Sequence, residues 1–268
     1  MEELSAFLKA SKARKAQPVQ DETLIGNRLH QLFDRMAAQS AMQGRNVLLR
    51  TGFAGLDGAI GGLEMGELVA INGVSGSGRT AIALGIALET AKNTQLPILI
   101  FSQDHAAQQL TRRILSMLTG VPVCSMEIAT LTDDQWGGLA TASSWLKDKP
   151  IRILEIDRQV PELCDFIRQH NTPALVILDG LSVAAPESEE MQMLKELAVN
   201  TASCVVFTDF YHTITPFIAG GVDKVLDLEC YSETECVLRV LWNRNGQRDY
   251  TSLTWHKDTL QFFDPTEE

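Results

Sequence analysis

Three glycines, an arginine and a threonine stand together in Gly73-Val74-Ser75-Gly76-Ser77-Gly78-Arg79-Thr80. The spacing is that of a phosphate-binding loop, in which a cation and a hydroxyl follow the last glycine. Glycines let backbone N–H groups turn towards one point, and the first turn of a following helix adds partial positive charge there. Gly73, Gly76, Ser77, Gly78 and Arg79 are therefore candidate phosphate ligands. Thr80 is placed to offer its hydroxyl oxygen to Mg2+. A second signal is Leu175-Val176-Ile177-Leu178-Asp179, an apolar run that ends in a carboxylate. Downstream of a phosphate loop such a run reads as the strand whose acid holds Mg2+ through water, which makes Asp179 a candidate metal ligand. The chemistry implied is binding of ATP, or another nucleoside triphosphate, with Mg2+.

One residue departs from the loop's pattern. The cation after the last glycine is ordinarily lysine, a compact point charge; here it is Arg79, whose guanidinium is larger, planar and forked. Phosphoryl transfer depends on positioning and charge stabilisation rather than covalent chemistry. The substitution predicts retained or weakened binding and impaired turnover. Ser75 and Ser77 are not nucleophile candidates, because no histidine and acid are arranged around them in the sequence.

These residues need a scaffold that brings strand ends together. The periodicity predicts strand Leu68–Asn72 before the loop and an Ala-rich helix Thr80–Lys92 after it. Strand and helix then alternate: Pro97–Ser102, Ala106–Leu118, a helix Asp133–Leu146 capped near Thr132, Ile151–Ile156, Pro161–His170, Ala174–Asp179, Glu187–Asn200 and Ser203–Asp209. Such alternation argues for a mainly parallel sheet covered by helices on both faces. After Lys224 the texture changes to successive strands, Val225–Leu228, Cys236–Trp242, Tyr250–His256 and Leu260–Asp264, with a turn signal at Asn245-Gly246. An antiparallel C-terminal extension is expected. Before the domain, residues 21–44 carry a helical apolar stripe of Ile25, Leu29, Leu32, Phe33 and Met36.

Composition narrows the function classes. Of 268 residues, 45% are hydrophobic and 21% charged, which excludes disorder over the whole chain. Lys and Arg total 23 against 34 Asp and Glu, a net charge of −11. A chain that wraps DNA by bulk charge is basic, so any nucleic-acid contact must come from a local patch or a multi-subunit pore. Five cysteines without C-x-x-C spacing predict reduced thiols and no zinc site. No apolar run reaches membrane-spanning length, and Met1–Lys15 lacks the apolar core of a signal peptide. A cytoplasmic protein with no membrane partner is expected.

Further segments carry a family likeness. Arg50-Thr51-Gly52-Phe53-Ala54-Gly55-Leu56-Asp57 and Gly61-Gly62-Leu63-Glu64-Met65-Gly66-Glu67-Leu68 look like the entry to RecA-like ring ATPases. With Pro97–Ser102, the Arg112-Arg113 helix, Leu131–Trp136, Asp179, Val205-Val206-Phe207 and Arg244-Asn245-Gly246, residues 47–264 resemble the C-terminal domain of DnaB-type replicative helicases. KaiC- and RadA-like ATPases fit less well after the second strand. The resemblance implies an N-terminal extension, residues 1–46, with a linker-like amphipathic helix, and an α/β RecA-like P-loop domain, residues 47–268. Further implied are Asp104 in place of the catalytic glutamate, Asp209 in place of a glutamine that senses the γ-phosphate, and Arg244 as the finger arginine that reaches a neighbouring subunit's nucleotide.

The departures from that family point one way. Asp104 is shorter than glutamate, and an ionised Asp209 would repel phosphate. Trp242 stands where the finger carries a lysine. Ser182–Glu190 and Phe210–Gly221, at the family's DNA-gripping loops, carry no Lys or Arg, so single-stranded DNA binding is expected to be weak. The family's primase-interacting N-terminal domain is expected to be absent. The expected function is a nucleotide-binding, hydrolysis-impaired scaffold or regulator in DNA replication, acting as a homo-oligomer or on a ring helicase or other replication protein. The alternatives are an active ATP-dependent DNA helicase or translocase with an unusual P-loop, and a RecA-related ATPase that binds DNA as a filament.

Overall fold

A computed structural model describes residues 25, 48–155, 159–170, 172–181, 189–209 and 221–265. The helix expected over residues 21–44 lies outside these apart from Ile25. Most of Ser182–Glu190 and nearly all of Phe210–Gly221 also lie outside them. Contacts divide the chain into Met1–Val47 and Leu48–Glu268. The second unit carries all that follows.

Chain entry is fixed by a short bridge between Leu49 and Leu63, with N–H···O distances of 2.8 and 2.9 Å. Between them runs helix α1, Ala54–Ile60. Thr51 tethers it: its N–H and hydroxyl both donate to Asp57 Oδ1 at 2.9 Å. The Thr51–Asp57 segment is thus a folding device, an enclosed acid satisfied by two donors.

Then come β1 (Leu68–Gly73), α2 (Arg79–Asn93), β2 (Ile98–Ser102), α3 (Ala107–Thr119), α4 (Val123–Glu127) and α5 (Asp133–Lys147). They are followed by β3 (Ile151–Glu155), α6 (Val160–His170), β4 (Leu175–Asp179), α7 (Glu189–Asn200), β5 (Cys204–Asp209), β6 (Lys224–Cys230), β7 (Glu235–Asn243), β8 (Tyr250–His256) and β9 (Gln261–Phe263). The strands form one sheet in the order β3-β2-β4-β5-β1-β6-β7-β8-β9. The first six are parallel and the last three run antiparallel, as the change of texture after Lys224 predicts.

Strand period two divides the core. Val69 and Ile71 of β1 face α2 and α3, packing with Ile82, Ile86, Leu110 and Ile114. Leu68 and Ala70 face the other layer, with Leu163, Ile167, Leu194 and Leu197 of α6 and α7. Every residue of β1, β2 and β4 is buried, which explains their unbroken apolar runs. Thr132 caps α5 in a capping box: its hydroxyl accepts from Gln135 N–H at 3.3 Å, and its own N–H donates to Gln135 Oε1 at 2.9 Å.

The cysteines correct one expectation. Cys230 and Cys236 form a disulfide, while Cys124, Cys164 and Cys204 are free. Cys230 and Cys236 are directly opposite each other across β6 and β7, with Cα atoms 4.0 Å apart. A spacing of six around a hairpin turn brings them together, and a search for C-x-x-C pairs misses it. Burial pushes the Cys164 thiol up to about 11, as expected for an inert core cysteine.

Candidate functional site

The sheet order sets the site. β2, β4, β5 and β1 are consecutive neighbours and parallel, so Ser102, Asp179, Thr208 and Gly73 all lie at the same sheet end. Ligands of open α/β sheets bind at this carboxyl end. Asp179 is 2% exposed and accepts from four side chains. Thr80 Oγ1 donates to its Oδ1 at 2.7 Å, and Thr208 Oγ1 to the same oxygen at 3.1 Å. Ser102 Oγ donates to Oδ2 at 3.0 Å, and His105 Nδ1 lies 3.0 Å from that oxygen. Burial alone would raise the Asp179 pKa; the hydrogen bonds from His105, Thr80 and Ser102 together outweigh it and hold the carboxyl below its usual value.

The loop between β1 and α2 turns as its glycines allow. Gly78, the residue before α2, has φ +98°. A Cβ there would sit 2.8 Å from the Phe262 ring and 3.2 Å from Trp255. Those two rings stack with centroids 4.0 Å apart, so the terminal strands β8 and β9 form the wall against which the loop is moulded. Ser77 N–H closes the turn onto Val74 O at 3.1 Å. On the underside, the Cys230 sulfur lies 3.6 Å from the Ser77 carbonyl oxygen.

The loop opens onto a cleft of about 490 Å³ lined by Ser75, Gly76, Gly78, Arg79 and Thr80 on one side. Asp104, His105 and Arg113 line another side, and Trp255, Lys257 and Leu260 a third. Of the residues predicted to hold phosphate, Gly76, Gly78, Arg79 and Thr80 line the cleft. Gly73 and Ser77 instead shape the loop from within. A Cβ on Gly73 would meet the Ser77 hydroxyl at 2.8 Å, and that hydroxyl is buried with no hydrogen-bond partner among the described residues.

The remaining sequence-predicted residues separate. Asp104 lines the cleft and is exposed; a Cβ on Gly180 would meet its carboxyl at 2.3 Å, so glycine after Asp179 leaves room for it. Asp209, at the end of β5, pairs in register with Asn72 and does not line the cleft. The β5 residue that touches Asp179 is its neighbour Thr208. Arg244 lies at the opposite end of the sheet, where its Nε is 3.5 Å from Asp223 Oδ1. Trp242, beside it, donates its indole N–H to Val222 O at 3.2 Å and carries Arg248 over its ring. It packs as a structural side chain.

Sequence reasoning missed Arg113 and Lys257 as cleft residues, and Ser102 and Thr208 as partners of Asp179. A small hydroxyl at a strand end gives no periodic signal, and Lys257 sits in a turn. The faint available signal was Arg113, next to Arg112 on a helix that directly follows a strand end.

The donor set fits Mg2+ shared with phosphate. Thr80 and Asp179 are adjacent, one neutral oxygen and one carboxylate, as the P-loop arrangement requires. Among the described residues no three His, Cys, Asp or Glu side chains gather into a protein-only metal site. No helix among them is long and apolar enough to cross a membrane.

Comparison with known proteins agrees with this geometry. The profile of the DnaB-like helicase C terminal domain matches residues 49–206, more than half of the chain. The chain is 28% identical over 153 residues to the replicative DNA helicase DnaB of Helicobacter pylori, covering 55% of this chain and 31% of that protein. Against the DnaB of Geobacillus stearothermophilus it is 27% identical over 163 residues, covering 58% and 35%. The chain thus matches about a third of the length of these relatives. Among solved structures, an ATPase domain superposes with a TM-score of 0.76 at 17% identity, covering 91% of this chain and all of that one. A DnaB-like replicative helicase, described with its interactions with primase, gives 0.72 at 17%, covering 98% and 71%. The RadB recombinase gives 0.58 at 15%, covering 81% of this chain and 100% of that one. A RecA-like fold accounts for these structural matches, and the profile match is specific: the chain belongs to the DnaB-like helicase C-terminal domain family.

Proposed function

We propose that this protein binds a nucleoside triphosphate with Mg2+ at the cleft, hydrolyses it poorly, and works as a scaffold or regulatory partner in DNA replication. The observation that carries the reading is the cleft itself. A glycine loop, a helix start and three cations converge beside a metal-type Thr80–Asp179 pair. Gly76, Gly78, Arg79 and Thr80 would hold the phosphates, and Thr80 and Asp179 the ion. When bound, Mg2+ supplies charge neutralisation between phosphate oxygens.

Impaired turnover is supported by two features of the chain. Arg79 replaces the compact cation of the loop, and its fork suits binding more than insertion between adjacent phosphates. Asp104 lines the cleft, is exposed, and is one methylene shorter than the glutamate of the family. Arg244 supports an oligomer. It stands beyond the first residue of β6, whereas the loop follows the strand end paired with Leu228, so within one chain it serves the far end of the sheet. A nucleotide contact from Arg244 would need a second copy. The replication setting, a cytoplasmic location and a replication-protein partner rest on the family and on the relatives described as replicative helicases.

A second reading, an active DNA helicase or translocase, is favoured by the intact Thr80–Asp179 pair. Steady-state ATP hydrolysis with and without single-stranded DNA separates the two. The proposal expects turnover at background in both conditions, and no full recovery in Arg79→Lys because Asp104 remains. DNA-stimulated turnover by the unaltered chain would establish the helicase reading instead.

A further inference from the structure

The strands beneath the phosphate loop carry a pair of sulfurs that nucleotide binding leaves unused. Leu228 of β6 is in register with Gly73, and a Cβ on Gly73 would meet the Leu228 carbonyl oxygen at 2.7 Å. β6 is thus the floor of the loop. Two residues on, Cys230 is bridged to Cys236 of β7, in the last register pair before the hairpin turn. Cys236 is 1% exposed and belongs to the core with Trp255 and Phe262. Cys230 is only half-buried, so its sulfur is the one a dissolved thiol reaches first.

One peptide unit links this bridge to the cleft. The Cys230 sulfur stands within reach of the Ser77 carbonyl oxygen. That carbonyl shares a planar trans peptide with the Gly78 N–H, and in such a unit the two groups point in opposite directions. With its oxygen turned to β6, the unit turns its N–H away from β6, and Gly78 lines the cleft. Gly78 has no Cβ to resist rotation of this unit. What stands at the Ser77 oxygen therefore sets how firmly that N–H is aimed. A bridged sulfur has no proton and donates nothing to the carbonyl. A thiol in the same place donates its S–H.

We propose that Cys230–Cys236 is a redox modification site: a thiol reductant opens it, and the freed Cys230 thiol anchors the Ser77–Gly78 peptide in its phosphate-binding orientation. The inference rests on the nucleotide reading above. The reductant is a small thiol or a dithiol protein. Its thiolate attacks the Cys230 sulfur, the S–S bond breaks, and the Cys236 sulfur leaves as a thiolate that takes up a proton. A second reductant thiol attacks the mixed disulfide at the reductant's own sulfur and frees the Cys230 thiolate, which is protonated in turn. The bridge gains two electrons and the two reductant thiols become one disulfide. Pairing of β6 with β7 from Lys224 to Glu229 keeps Cys230 under the loop in both states. In a reducing compartment disulfides are sensing devices rather than staples, so in the cytoplasm proposed above the open, tighter-binding form prevails and oxidation lowers affinity.

The test is calorimetric titration of the full chain with Mg-ATP after equilibration in oxidised or reduced glutathione. Thiols are counted by maleimide labelling after acid quench and unfolding: three in the oxidised chain, five in the reduced one. Melting curves confirm folding in both states. Reduction should tighten Mg-ATP about two- to fivefold, reversibly, the scale of one weak hydrogen bond. Cys236→Ala cannot form the bridge and should keep the tighter value in either buffer. Cys124→Ser removes the exposed free thiol and should still respond as the unaltered chain does. If Cys236→Ala is too unstable to titrate, the two states of the unaltered chain decide. Equal affinity in both states, or weaker binding by the reduced chain, overturns the inference and leaves the nucleotide reading standing. A bridge that glutathione opens only when the chain unfolds overturns it as well. Binding of Mg-ATP by neither state overturns the inference and the nucleotide reading together.

Discussion

At the N-terminal ends of β1 and β6, charges are matched to one another: Lys224 to Glu67, and Lys195 and Arg244 to Asp223. At the opposite end of the sheet, Arg79, Arg113 and Lys257 surround the cleft with no ion pair among the described residues, and the buried Asp179 is saturated by hydroxyls and an imidazole. The first end is a closed network that fixes the start of two strands; Asp223 Oδ2 even accepts the Leu68 N–H at 2.8 Å. The second is an open one, where the cations line a cleft. The contrast separates charges that hold the structure together from charges open to the ligand proposed above.

The largest expected effect breaks the closed end. Lys224 and Glu67 are both enclosed, at 2% and 5% exposure. Lys224→Met would strand the Glu67 charge and cost about 3–5 kcal/mol, read as a shift in the denaturant midpoint. Adding Glu67→Leu should recover most of the loss, because a matched apolar pair replaces a matched ionic one. If Lys224→Met is neutral, the closed network is not structural.

A smaller effect is expected at the open end. Asp179→Asn keeps the shape but sets an NH2 group against donors, costing about 1–3 kcal/mol. It should also remove the Mg2+ dependence of nucleotide affinity. The pH dependence follows from the lowered folded pKa. The unfolded chain binds the proton more readily than the folded one, so the stabilisation is complete above the ordinary carboxylate value of about 4 and is lost as pH falls through the lower folded value. Melting temperature measured on an acid series should drop over that window, and Asp179→Asn should flatten its share of the drop.

The smallest effect sharpens the boundary between the two ends. Arg244 is 44% exposed and its ion pair to Asp223 is 3.5 Å long. Arg244→Ala should change stability by less than about 1 kcal/mol. It should leave nucleotide affinity of the isolated chain untouched. A loss of affinity in a strictly monomeric sample would contradict its placement at the far end of the sheet.

Much of this architecture was legible in the sequence because burial leaves runs and glycine leaves spacing. Residues 73–80 announced a phosphate loop, and Leu175–Asp179 ended where an ion-holding acid should. What was not legible had no periodic trace. Thr208 and Ser102 are single hydroxyls whose role depends on which strands are neighbours, and strand order is a long-range property. At the end of β5 it is Thr208, next to the expected sensor position Asp209, that touches Asp179. α1 and α4, of seven and five residues, are too short to show a helical period. The Cys230–Cys236 bridge depends on hairpin register, which composition does not reveal.

The most direct measurement is equilibrium binding of Mg-ATP to the purified chain at moderate salt. The account predicts saturable binding, one nucleotide per chain, weakened by raised salt and by Asp179→Asn. Absence of saturable binding at millimolar nucleotide would contradict it, and the unpaired cations of the cleft would then need a different anion.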